Sequence, residues 1–154
     1  MLQLYSSSAT GVSTPVDSNI VFNNKTLQTG CTAVANTPTN TITLNKSGLY
    51  MVEFNGIISG IAAAEAEAEV EAAVIPTVAN FVGVQMFNNG NEVPEAVTGA
   101  TSAADTDVNA VSFQTLVRVR PGCCSVDNTA RLTFKVVGNN AKVYFANVVV
   151  TKLA

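Results

Sequence analysis

Apolar and polar residues alternate along much of the chain with the two-residue period of a half-buried strand. Tyr50, Val52, Phe54 and Gly56 fall on one side of Leu49–Ser59, with Met51 and Glu53 on the other. Val111, Phe113, Thr115, Val117 and Val119 alternate with Ser112, Gln114, Leu116, Arg118 and Arg120. Leu132, Phe134 and Val136 alternate with Arg131, Thr133 and Lys135. Phe81–Phe87 is a further strand, and Asn88-Asn89-Gly90-Asn91 behind it is a hairpin signal. Pro94 confines the strand that starts at Glu92 to an edge or an end. Thr41–Leu44 and Asn19–Phe22 read as short strands, with turns at Asn45–Gly48 and Asn23-Asn24. Pro121-Gly122 and Gly138-Asn139-Asn140 are turns, and Ala141–Lys152 is the last strand. Residues 98–109, made of Ala, Thr, Ser and Asp, read as a surface loop. The pattern predicts about eight strands at short spacing and no strand–helix alternation, which is an all-β sandwich or barrel.

Residues 1–18 hold many Ser and Thr and little periodicity. They read as an extended N-terminal arm, with a short strand at most over Gln3–Tyr5. Residues 19–154 then form a single domain. The low-complexity stretch from Ile61 to Val74 stands apart. Ala and Glu favour a helix, and Pro76 stands where one would end. Glu65, Glu67, Glu69 and Glu71 nevertheless recur at the strand period and would make one acidic face on a strand. A short helical insertion over residues 61–75 is the expectation, with the strand as its alternative.

Composition narrows the chemistry. The 154 residues are 47% hydrophobic and 12% charged, against about 25% charged in an average soluble protein. There is no His, which removes Ser-His-Asp and Cys-His catalysis and His-ligated metals. No phosphate-binding glycine loop and no nucleophile elbow occurs, so no enzyme and no cofactor is expected. The net charge of −3 and scattered Lys and Arg argue against a nucleic-acid partner. No apolar run nears the ~20 residues of a membrane span, and Met1–Tyr5 lacks the basic start of a signal peptide. Cys31, Cys123 and Cys124 are an odd set without zinc spacing, and free thiols are expected. Asp105 and Asp107 in a polar loop read as solvated, and no metal site is expected. Arg118, Arg120, Arg131 and Lys135 are expected on neighbouring strands as a small basic patch or a solvated face. A surface so poor in charge suits a protein that packs against its own copies or sits in a large assembly; an ordinary surface β-domain is the alternative.

The last strand carries the strongest signal. Tyr144, Ala146, Val148 and Val150 make one apolar face, and Val143, Phe145, Asn147, Val149 and Thr151 an opposite face that is also mostly apolar. A strand with one wet side does not look like this. Either the strand is buried on both faces, or a partner subunit covers the second. Val143, Phe145 and Val149 are the expected subunit contacts.

The stretch Ile42-Thr43-Leu44-Asn45-Lys46-Ser47-Gly48-Leu49-Tyr50-Met51-Val52-Glu53-Phe54 resembles the strand entry of tumour-necrosis-factor/C1q-like jelly rolls. Phe87–Pro94 resembles their central hairpin, Thr115–Gly122 the strand that runs to a Gly turn, and Tyr144–Leu153 their final strand. Cys123-Cys124 after the Pro-Gly turn is similar to the bacterial and phage branch, which includes phage virion structural proteins and C-terminal domains of collagen-like spore-surface proteins. The resemblance implies a jelly-roll β-sandwich, a homotrimer and no catalytic residues. It points to a structural protein displayed on a phage virion as a capsid decoration, head-fibre or tail-associated module, with the N-terminal arm docked to capsid or tail proteins. A glycan- or ligand-binding module of an adhesin, on a bacterial or spore surface, is the alternative. No Gly-X-Y repeat occurs in the chain, which makes a filamentous spore glycoprotein a poorer fit.

Overall fold

The computed structural model describes residues 1–61, 80–102, 107–120 and 129–154. They form β1 (Leu2–Thr14), β2 (Asn24–Gln28), β3 (Ala33–Val34), β4 (Ile42–Leu44), β5 (Gly48–Gly60), β6 (Asn80–Asn88), β7 (Asn91–Ser102), β8 (Val108–Val119), β9 (Ala130–Val137) and β10 (Ala141–Lys152). No helix occurs among the described residues. Two five-stranded antiparallel sheets face each other, in the orders β2-β1-β10-β5-β8 and β3-β4-β9-β6-β7. The chain passes repeatedly between the sheets from β2 onward, so neighbours in space are mostly distant in sequence. This is a jelly-roll sandwich.

The inward positions follow the alternation. Tyr50, Val52 and Phe54 of β5, Leu132, Phe134 and Val136 of β9, and Ala146, Val148 and Val150 of β10 are fully buried. Each large apolar side chain taken out of water contributes roughly 1.5–3 kcal/mol. Phe54 and Phe134 stack across the sandwich with ring centroids 5.5 Å apart. Phe113 extends the stack at 5.4 Å from Phe54, and Phe22 meets Phe134 edge-on at 5.8 Å. The four rings tie β5 and β8 of one sheet to β9 of the other and to the segment before β2. At the Asn89-Gly90 turn both residues have positive φ, 51° and 82°. That is the geometry of a two-residue hairpin with the right-handed strand twist, and Asn-Gly reaches it with little strain.

Residues 1–18 depart from the expected arm. Leu2 to Thr14 is a strand of the first sheet, with Leu2 and Leu4 fully buried. It pairs with β10 from Leu2↔Val150 to Thr14↔Ala141 and with β2 from Leu2↔Gln28 to Tyr5↔Asn24. Its polar side chains hid it: Ser6 is buried but takes a hydrogen bond from Asn23 Nδ2 at 3.1 Å, so a serine serves where the pattern asks for an apolar residue. The described part of residues 98–109 is mostly strand as well, since β7 continues to Ser102 and β8 begins at Val108. Small residues suit that stretch. The ring of Phe81 lies over Gly99, where an added Cβ would come 2.5 Å from Phe81 Cζ. Asn24 opens β2 and does not close a turn, and Asn19 and Phe22 make isolated bridges to Lys135 and Thr39. The expected helical insertion with its Glu residues, apart from Ile61, lies outside the described residues, as do Asp105 and the Pro121-Gly122 turn with Cys123-Cys124.

Leu4→Ala should cost about 2–5 kcal/mol in urea unfolding, as for a core leucine. A change within about 0.5 kcal/mol would show residues 1–18 to be a detachable arm after all. Tyr50 gives a second expectation. Its hydroxyl, carried on a buried ring, donates to the Lys46 carbonyl at 2.7 Å, and burial holds the phenol above its ordinary value of 10.0. The unfolded chain therefore releases this proton first. Stability is complete below pH about 10 and falls as pH rises past it. Denaturant titrations above that pH should show Tyr50→Phe losing less stability with pH than the wild type.

Candidate self-association surface

β10 lies between β1 and β5, and its register decides which side chains point outward. Val143 pairs with Ile58 but Phe145 pairs with Ile57, so Tyr144 is an extra residue in the ladder. Such a bulge reverses the parity of every later side chain. Before it, Ala141 and Val143 face the core; after it, Ala146, Val148 and Val150 do. Val143, expected as a subunit contact, is 7% exposed and belongs to the core. Tyr144, expected on the buried face, is only partly covered. An unbroken two-residue period cannot foresee either placement. Phe145 and Val149 do point outward, beyond the bulge, and both are half-buried.

Cross-strand pairing extends this outward face over the sheet. One row runs Leu116, Met51, Thr151, and the next Gln114, Glu53, Val149, Gln3, Leu27. The third runs Ser112, Asn55, Asn147, Tyr5, Asn24, and the fourth Ala110, Ile57, Phe145, Ser7. Leu116 is 56% exposed and Ile57 39%. The polar members bind each other. Gln3 Nε2 donates to Asn147 Oδ1 at 3.3 Å, and Gln114 Nε2 donates to Glu53 Oε1 at 3.0 Å. Glu53 is the one charged residue in these four rows; Arg118, Lys142 and Lys152 stand towards the strand ends. A face of aliphatic, aromatic, amide and hydroxyl groups can bury area against a matching surface when its polar groups keep hydrogen-bond partners.

Met51, Ile57, Leu27 and Leu116 were not singled out from sequence as contacts. The alternation does put Met51 and Leu116 on outward positions of their strands. Only the pairing of β5 with β8 and β10 shows that they share a face with Val149. The expected basic patch does not form. Arg118 is on β8 of the first sheet, whereas Arg131 and Lys135 are on β9 of the second. The Lys135 amine sits 4.5 Å from the centre of the Phe87 ring, a cation–π contact. Cys31 is a free, exposed thiol, and Asp107 is exposed just ahead of β8.

No protein-family model and no curated protein matches the sequence. Solved structures do match the fold. The Eiger TNF of S. frugiperda aligns over 100% of this chain and 92% of its own at 11% identity, with a TM-score of 0.64. Murine APRIL aligns over 99% and 98% at 12% identity, with a TM-score of 0.60. The chain has a TNF-like jelly-roll fold. The PRD1 vertex protein P5 is similar too, over 99% of this chain and 96% of its own at 14% identity, with a TM-score of 0.52. These alignments take in β1, the strand that composition alone disguised.

Proposed function

We propose that this chain is a non-enzymatic structural protein that assembles as a homotrimer through the outward face of the β2-β1-β10-β5-β8 sheet. We further propose that it is displayed on a phage virion as a capsid decoration, head-fibre or tail-associated module. The observation that carries the reading is the outward face itself: Phe145, Val149, Ile57, Met51 and Leu116 lie on one sheet with a single central charge. The apolar side chains interspersed among the amides and hydroxyls of this face favour burial against a second copy. Closed symmetry about an axis would cover every copy's face without leaving one open. The fold likeness to the PRD1 vertex protein P5 supports the particle setting. Docking to capsid or tail proteins has to use a loop or the second sheet, because β1 is committed to the sandwich.

Light scattering after gel filtration tests the assembly. A trimer reads about 48 kDa, three times the 16.0 kDa of the chain. Phe145→Asp should yield a folded monomer with an unchanged far-ultraviolet circular dichroism spectrum, since the side chain points away from the core. A wild-type monomer at micromolar concentration would sink the homotrimer. Co-sedimentation of the chain with purified particles tests the virion setting, and its absence from every particle fraction would refute it.

A further inference from the structure

The second sheet carries a polar groove that the proposed assembly does not use. It lies at the β6–β7 turn, has a volume of about 590 Å³, and is lined by Thr41, Asn89, Gly90, Thr129, Arg131 and Thr133. Arg131 and Thr133 are outward positions of β9, alternating with the buried Ala130, Leu132 and Phe134. Hydrogen bonds within the protein fix the walls. The Arg131 amide donates to Asn89 Oδ1 and the Asn89 amide donates to the Arg131 carbonyl, both at 2.8 Å, so the turn is clipped to the start of β9. On the other side the Thr41 amide donates to Thr39 Oγ1 at 3.0 Å, and that hydroxyl donates to the Thr41 carbonyl at 2.8 Å. These bonds hold backbone and leave side chains available. The Arg131 guanidinium, Asn89 Nδ2 and the hydroxyls of Thr129 and Thr133 have no partner among the described residues. Neither a carboxylate nor an aromatic ring is among the described lining residues. In the rows beside the groove, the Lys135 amine lies over the Phe87 ring, and Glu92 stands beyond Phe87 from Thr133.

We propose that this groove binds a carboxylated sugar, of the hexuronate class, within an acidic polysaccharide. A guanidinium presents two parallel N–H donors that match one carboxylate. Arg131 offers that fork with no acid of the described groove competing for it. Threonine hydroxyls both donate and accept, and an amide NH2 donates, which together complement a ring that bears several hydroxyl groups. A sulfate or phosphate group, with every oxygen to satisfy and no hydroxyls to read, would ask for a denser set of N–H donors. The volume falls within the range of small-ligand sites, roughly 300–1,000 Å³. Walls fixed before the ligand arrives leave little ordering cost to the protein. The inference goes beyond the assembly reading and does not rest on it. In a trimer closed through the first sheet the groove would remain open on every copy, and weak single sites would then reinforce one another along a repeating polymer.

Amide chemical-shift titrations with trigalacturonate and with galactotriose, its uncharged counterpart, test this on the wild type, Arg131→Gln and Lys25→Gln. Arg131→Gln keeps the backbone clip and removes the cation. Lys25, exposed on β2 of the other sheet, controls for the general loss of a positive charge. Trigalacturonate should move the amides of Asn89, Gly90 and Arg131 in the wild type with a Kd on the order of 1 mM or tighter. Arg131→Gln should bind it at least about tenfold more weakly, the loss expected for a charged hydrogen-bonded contact, and galactotriose should bind the wild type more weakly by a similar factor. Lys25→Gln should match the wild type. An absence of shifts at these amides, equal binding of galactotriose, or an Arg131→Gln protein that binds as tightly as the wild type overturns the inference. Displacement of the trisaccharide by an equal concentration of inorganic sulfate or phosphate shows a simple anion site and overturns it too. Each of these outcomes leaves the homotrimer untouched.

Discussion

The double pairing of β10 is the constraint on which the rest of the molecule depends. The last strand of the chain lies in the middle of its sheet, hydrogen-bonded to the first strand on one edge and to β5 on the other. Each backbone hydrogen bond adds only about 1 kcal/mol net, but the ladder fixes register, and register fixes which side chains meet the core. Ala146, Val148 and Val150 point in because Tyr144 is bulged out of the ladder. With both edges satisfied, β10 has only its faces left to offer. One face is covered by the second sheet; the other is open in the single chain, and everything argued about association begins there.

The two outward faces of the sandwich differ in kind. On the second sheet, Arg131 and Lys135 project from β9, Lys135 covers the Phe87 ring, and Glu92 stands opposite Phe87 on β7. Such a face stays wet without difficulty. On the first sheet, four cross-strand rows hold one carboxylate among aliphatic, aromatic and amide groups. The low charge content of the chain is therefore not spread evenly. On the first sheet it gathers towards the strand ends, at Arg118, Lys142 and Lys152, and leaves the middle of the face with Glu53 alone among the described residues.

What the sequence made legible follows the contrast between neighbouring side chains. β5, β8 and β9 were readable because aromatic or aliphatic residues alternate there with more polar ones, and β10 because it is a long run that is apolar on both faces. β1, β2 and β3 were not. Their side chains are largely Ser, Thr, Asn and small residues, and they are strands because β10, β1 and β4 supply hydrogen-bond partners from elsewhere in the chain. For β1 the partner β10 lies more than a hundred residues away, and no local pattern encodes that. The far end of β7 was missed because Gly99 and its small neighbours read as loop, although the Phe81 ring needs that absence of side chains. The family resemblance bridged part of this gap, since it rested on the well-patterned strands and brought the jelly-roll connectivity with it.

The candidate surface was legible to the same degree and for the same reason. Alternation alone placed Phe145 and Val149 correctly with respect to each other, because both lie beyond the bulge. It misplaced Val143, which lies before it. A bulge is one residue long and leaves no mark in composition, yet it exchanges core and surface for everything on one side of it. The error is instructive about the proposed interface. Had the ladder run unbroken, Val143 would add an aliphatic group to the outward face and Tyr144 would have to fit its ring into the core beside Ala146. The bulge instead keeps the small valine inside, lets the tyrosine reach the partly covered margin, and leaves Phe145 as the large apolar side chain of β10 on the open face. The aromatic contact available to a second copy is thus set by a backbone irregularity as much as by the identity of the residue.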